Sequence, residues 1–201
     1  MYVITDGAAR RQMEIAAAAC NGGAGILQMR AKNLPLREAV QVARQMRYLA
    51  TAAKVLFIVN DRVDLALAAK ADGVHLGDED MPVRIARQIL GRHAVIGVSA
   101  STISEADEAI TGGASYLGTG AVFATSSKSD AGEPIGLEQL RKITCYSKLP
   151  VAAIGGIDSS NIKSVINHGA QMACVISAVS TAFSQNEMTE RVRQLAGFFE
   201  S

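Results

Sequence analysis

FIVNDRVDLALAAKADGVHLGDED, residues 57–80, is the stretch from which the rest of the chain can be read. Two apolar runs, FIV and GVHL, pass directly into polar residues: Asn60-Asp61 after the first and Asp78-Glu79-Asp80 after the second. A short amphipathic segment, Val63 to Ala69, lies between them. Strand, helix and strand in that order place both acidic clusters at the C-terminal ends of neighbouring parallel strands. That is the edge on which open α/β sheets and β/α barrels carry their chemistry. Carboxylates facing each other there suit a hard divalent cation such as Mg²⁺, which takes oxygen ligands and often holds substrate phosphates. The competing reading is local: Asp61 caps the following helix, Asp being a favoured N-cap, and Asp78-Glu79-Asp80 is a solvated loop.

Outward from this stretch the same rhythm recurs. Apolar strand-like runs are expected at Tyr2–Thr5, Gly25–Met29, Val55–Val59, Gly73–Leu76, Ala94–Val98, Ser115–Thr119, Val151–Ile154 and Met172–Ile176. Helix-favouring segments separate them, opened by Pro35 and Pro82 and stopped by glycine at Gly22-Gly23 and Gly91. A long polar loop runs from Thr119 to about Pro134, and a final helix covers about Asn186 to Phe199. Eight strands alternating with helices, without a linker or a change in composition, predict one (β/α)8 TIM barrel spanning residues 1–201. An open doubly wound sheet is the alternative.

Composition narrows the class. The 201 residues are 49% hydrophobic and 19% charged, enough for one sizeable core. A net charge of +1, with 4% aromatic residues and no Trp, argues against a nucleic-acid partner. Three widely spaced cysteines form no CxxC pair, which argues against a zinc site or a disulfide framework and favours a reducing, cytoplasmic setting. No apolar run approaches the roughly 20 residues of a membrane span, and MYVITDGAARR has no signal-peptide pattern. Small-molecule partners are expected, and self-association into a homo-oligomer is left open.

The residues at the expected strand ends carry the chemistry. They are Asp6; Gln28, Arg30 and Lys32; Asn60 and Asp61; Asp78 to Asp80; Ser99; Thr125-Ser126-Ser127-Lys128; Gly155-Gly156; and Ile176-Ser177. Each has a bland alternative, as an exposed strand end, a Ser-rich linker or a tight turn. Gathered at one mouth, they fit two anions of different kinds. Arg30, Lys32, Lys128 and a metal on Asp61 and Asp80 suit a diphosphate. Backbone N–H groups at Gly156, Ile176 and Ser177 suit a monophosphate, in the position barrels use after strands seven and eight. No Ser-His-Asp or Cys-His constellation points to a covalent intermediate.

Taken in order, YVITD, QMRAK (28–32), NDRVDLAL from Asn60, GVHLGDED to Asp80, IGVS to Ser99, GTGAVFATSSKSDAGEPIGL, VAAIGGI and VISA resemble the thiamine phosphate synthase family over nearly the whole chain. The resemblance implies a (β/α)8 barrel transferase that joins 4-amino-2-methyl-5-hydroxymethylpyrimidine diphosphate to 4-methyl-5-(2-phosphoethyl)thiazole, with Mg²⁺ as cofactor. It implies that Asp61 and Asp80 hold the metal, and that Arg30, Lys32, Asn60 and Lys128 grip the diphosphate, with Arg30, Lys32 and Lys128 assisting its departure. Gln28 and Ser99 would then lie near the pyrimidine, and Thr125, Ser127, Gly156, Ile176 and Ser177 would receive the thiazole phosphate. Asp78 and Glu79 would be loop residues.

The sequence departs from the family pattern at several points. Ala31 stands where the family's QLREK has Glu, Ser127 where its TxTK has Thr, and Ser101 where a His often follows the strand-five Ser. Many members also carry an extension ahead of the first strand. The thiazole tautomerase branch loses the Asn-Asp and Glu-Asp metal positions and uses that His, so Asn60, Asp61, Asp80 and Ser101 favour the synthase. A barrel that binds thiamine phosphate without catalysis is the rival of another class.

Overall fold

The computed structural model describes residues 1–127 and 132–199, and in it eight parallel strands close into a barrel in simple chain order. The elements are β1 (Tyr2–Thr5), α1 (Ala9–Asn21), β2 (Ile26–Met29), α2 (Leu36–Ala53), β3 (Leu56–Asn60), α3 (Val63–Ala69), β4 (Gly73–Leu76), α4 (Val83–Leu90), β5 (Val95–Ser99), α5 (Ile103–Gly112), β6 (Tyr116–Thr119), α6 (Gly136–Tyr146), β7 (Val151–Ile154), α7 (Ile162–Asn167), β8 (Met172–Val175), α8 (Ser177–Ser180) and α9 (Gln185–Gly197). β1 pairs with both β2 and β8, so the ring is closed and the open-sheet alternative is excluded. The short α8 has no counterpart in the sequence reading, which passes from strand eight to the last helix. Four residues carry no amphipathic period to detect.

Helix ends follow local chemistry. Thr102 caps α5 by accepting from Glu105 N at 3.2 Å, while the Glu105 carboxylate accepts from Ser101 N at 2.7 Å. Ser184 and Glu187 repeat the arrangement at the start of α9. Asp61 is not a cap. The N-cap of α3 is Arg62, which makes no side-chain capping bond.

The strands bury both faces, as strands of a parallel sheet covered by helices must. Outward, Val3, Leu27, Phe57, Val59, Val74, Ile96 and Leu117 join the helices in one large apolar layer. Inward, a smaller cluster is formed by Tyr2, Ile4, Tyr116, Ala152, Cys174 and Ile176. The register sorts the two sets. Asn60, His75, Gly97 and Tyr116 are successive cross-strand neighbours on the inward face, as are Ser99, Gly118, Ala152 and Met172. Among the described residues, no helix is long and apolar enough to cross a membrane.

Candidate active site

The C-terminal ends of the strands surround a cavity of about 550 Å³. Arg30, Lys32, Asn60, Asp61, Asp80, Ser99, Thr125, Ser127, Gly156, Ile176 and Ser177 all line it, so the strand-end residues singled out in the sequence meet at one mouth. Gln28 lies one level deeper. It lines a small cavity beneath the mouth, which shares His75, Ser99, Gly118, Ile154 and Cys174 with the larger one. Asp78 and Glu79 also reach the wall, although both are exposed. Lys128 lies outside the described residues.

One side of the mouth is charged. Arg30 follows β2 and is nearly buried, and its Nη1 pairs with Asp6 Oδ1 at 3.1 Å. Its Nε is buried with no hydrogen-bond partner, a donor that folding leaves unanswered at the wall of the cavity. Ala31, where the family carries Glu, is half-buried and packs on the outer apolar layer, so Asp6 is the carboxylate that orients Arg30.

Asp61 adopts a left-handed backbone, φ 63°, with its N–H donating to His75 O at 2.8 Å. A non-glycine residue in that region is strained, and such strain concentrates at working sites. Asp80 accepts from Gly77 N through one carboxylate oxygen at 2.7 Å, which leaves the other for a ligand. Among the described residues no group of three or more His, Cys, Asp or Glu could hold a metal by itself. Asn60, Asp61 and Asp80, which line the one cavity, nevertheless offer the oxygen donors that suit Mg²⁺, an ion commonly bound by one or two carboxylates with substrate phosphates completing its shell.

The opposite side of the mouth is largely backbone. Gly155 and Gly156, after β7, have positive φ angles of 103° and 62°. A side chain at Gly156 would meet Ala124 O at 2.5 Å, so glycine lets this turn lie against the loop after β6. Thr125 Oγ1 accepts from Ser127 N at 3.2 Å within that loop, and Ser177 opens α8 beside it. Ser101 Oγ donates to Gly120 O at 2.8 Å, so the hydroxyl that replaces the family's frequent His is bound to the β6 loop.

The sequence reading missed the floor. Tyr2, His75 and Tyr116 lie inside the barrel and are joined to Gln28 and Ser99 by hydrogen bonds. Burial pushes the phenol pKa of both tyrosines upward and keeps them protonated. Their sequence signal is slight, an aromatic residue at an inward strand position.

A closed parallel barrel with its cations, carboxylates and glycine turns gathered at the C-terminal mouth is a (β/α)8-barrel enzyme. The chain belongs to the thiamine monophosphate synthase family, whose sequence model matches residues 1–179. It is 48% identical over 198 residues to the thiamine-phosphate synthase of Moorella thermoacetica, covering 97% of this chain and 94% of that protein. The thiamine-phosphate synthase of Chloroflexus aurantiacus is 44% identical over 198 residues, covering 97% and 90% respectively. The solved thiamine phosphate pyrophosphorylase of Pyrococcus furiosus superposes with a TM-score of 0.90 at 44% identity, covering 99% of this chain and 94% of that one.

Proposed function

We infer that the protein is a thiamine phosphate synthase, joining 4-amino-2-methyl-5-hydroxymethylpyrimidine diphosphate to 4-methyl-5-(2-phosphoethyl)thiazole with release of diphosphate. The observation that carries this reading is one cavity whose lining joins charged side chains, Arg30, Lys32 and Asp61, on one side to glycine-rich backbone and a hydroxyl, Gly155, Gly156 and Ser177, on the other. The two substrates carry unlike anions, a diphosphate and a monophosphate. A cavity of about 550 Å³ also falls in the range of small-molecule sites, roughly 300–1,000 Å³.

The chemistry that follows is a dissociative transfer. Diphosphate departs, the aminopyrimidine stabilises the methylene cation, and the thiazole nitrogen captures it. Arg30, held by Asp6 and with an unanswered Nε, is oriented before substrate arrives, so it stabilises growing charge on the leaving group with little reorganisation. Lys32 and Lys128 add cationic charge to the same group, and Asn60 adds an amide donor. We assign Asp61 and Asp80 as Mg²⁺ ligands; bound there, the ion supplies further positive charge to the departing diphosphate. Interactions that strengthen only as the bond breaks raise kcat rather than ground-state affinity. Thr125, Ser127, Gly156, Ile176 and Ser177 hold the thiazole phosphate in line for capture. The working partners are then two phosphorylated small molecules, not a nucleic acid or a membrane, and the cysteines Cys20, Cys145 and Cys174, none of them in a disulfide, accord with a cytoplasmic setting.

The test is synthesis from both substrates and Mg²⁺, with thiamine phosphate as the measured product. Asp61→Asn retains a residue that tolerates the left-handed backbone, so it isolates the carboxylate. We expect robust product from the parent and a loss of at least about 100-fold in Asp61→Asn and in Lys128→Ala. Full activity in Asp61→Asn would remove the metal assignment. No product from the parent would remove the function itself.

A further inference from the structure

Beneath the mouth, five side chains from five different strands form one continuous chain of hydrogen bonds. Gln28 Nε2 donates to Tyr2 Oη at 2.6 Å, and Tyr2 Oη meets Tyr116 Oη at 2.8 Å. Tyr116 Oη lies 3.0 Å from His75 Nδ1, and His75 Nε2 lies 3.2 Å from Ser99 Oγ. The chain crosses the barrel from β2 to β5 and ends at a serine that lines the substrate cavity. It passes over Gly97, where a side chain would fall inside the Tyr116 phenol, and over Gly118, whose Cβ would sit 2.6 Å from His75 Cε1.

This chain has a direction. An amide nitrogen only donates, so Tyr2 Oη accepts from Gln28. Tyr2 is wholly buried and its own proton needs an acceptor, and Tyr116 Oη is the one within reach. Tyr116, equally buried, must in turn give its proton to His75 Nδ1. The imidazole then carries its hydrogen on Nε2 and donates to Ser99 Oγ. Ser99 is left with its own hydroxyl proton free to enter the cavity, while Gln28, its nitrogen engaged by Tyr2, offers a carbonyl oxygen.

We propose that Tyr2, Tyr116 and His75 are positioning residues that fix Ser99 as a hydrogen-bond donor and Gln28 as an acceptor toward the substrate's aminopyrimidine ring. A ring nitrogen accepts and an exocyclic amine donates, so this polarity matches that ring. The reversed polarity would set lone pair against lone pair. The match to a pyrimidine rests on the function inferred above; the direction of the chain does not.

The first test is therefore made without substrate. Ring nitrogen shifts of ¹⁵N-labelled histidine, with three histidines to assign, should show His75 as the Nε2–H tautomer in the parent and in Tyr2→Phe, where Tyr116 can still donate. Tyr116→Phe removes the donor to Nδ1 and should release that tautomer. An Nδ1–H tautomer in the parent overturns the proposal. The second test is kinetic. Tyr116→Phe should raise KM for the pyrimidine diphosphate about tenfold, the effect of one lost buried hydrogen bond, and leave KM for the thiazole phosphate unchanged. Tyr2→Phe should raise the pyrimidine KM less. If Tyr116→Phe does not fold, Tyr2→Phe and the parent tautomer still decide the question. Parent-like pyrimidine KM in a folded Tyr116→Phe protein, or equal rises for both substrates, overturns the proposal. A parent that makes no product refutes the functional reading alone, since the tautomer is read independently.

Discussion

On the outward face of the strands, Leu27, Phe57, Val74, Ile96 and Leu117 are shut off from solvent among aliphatic neighbours. On the inward face of the same strands stand Gln28, Asn60, His75, Ser99 and Tyr116, most of them bound to one another through polar atoms. The outward face meets helices, so it can be filled by area alone, and burying apolar surface is worth roughly 25 cal/mol per Å². The inward face converges on the barrel axis, where few side chains fit. Gly97 and Gly118 give up their volume there to an imidazole and a phenol. Buried polar groups must then satisfy each other, and they do so in a chain that ends at the substrate cavity. Apolar packing and the polar groups that reach the cavity thus lie on opposite faces of one sheet.

Substitutions can break or sharpen that separation. The largest expected effect is at the mouth. Asp61→Gly should reduce product formation at least about 100-fold. It should leave the thermal midpoint no lower, because glycine adopts the left-handed backbone without strain. A joint fall in Tm and activity would break the separation. Next comes the outward face. Phe57→Ala removes a fully buried ring and should destabilise by about 3–5 kcal/mol in denaturant unfolding, with KM and kcat retained below the transition.

Gly97→Ala probes the boundary between the faces. Its methyl cannot coexist with the Tyr116 phenol, so stability should fall by about 1–3 kcal/mol and the pyrimidine KM should rise. A change in stability without a change in KM would show the barrel floor to be purely structural.

The smallest effect is alkaline. Burial raises the pKa of Tyr2 and Tyr116 in the folded state, so their contribution to stability is complete below the ordinary phenol value of about 10. Above it the unfolded chain loses protons that the folded chain retains. Stability should then decline as pH rises above that value. Urea unfolding at a series of alkaline pH values should show this slope, and Tyr116→Phe should make it shallower.

Much of this was legible in order along the chain. Eight apolar runs each ending in polar residues announce parallel strands with one polar edge, and Gly155-Gly156 marks the tight turn that follows β7 at the cavity wall. The Asp61 cap was a fair local alternative, because Asp caps helices often. The backbone settles against it, with φ 63° and a capping position occupied by Arg62. Asp6 as the partner of Arg30 was not legible, since the two residues belong to different strand ends.

The sequence by itself determined which residues are strand, which end of each strand is polar, and which family pattern the strand ends follow. Those properties are local, set by alternation, glycine and proline within a few residues. Closure of the ring, the short α8 and the hydrogen-bonded floor were decided only by the tertiary structure. Tyr2 and Tyr116 are 114 residues apart, and their hydroxyls meet because closing the barrel brings β1 and β6 across a common axis. No local pattern encodes that contact. It follows from register and from the space that Gly97 leaves between His75 and Tyr116.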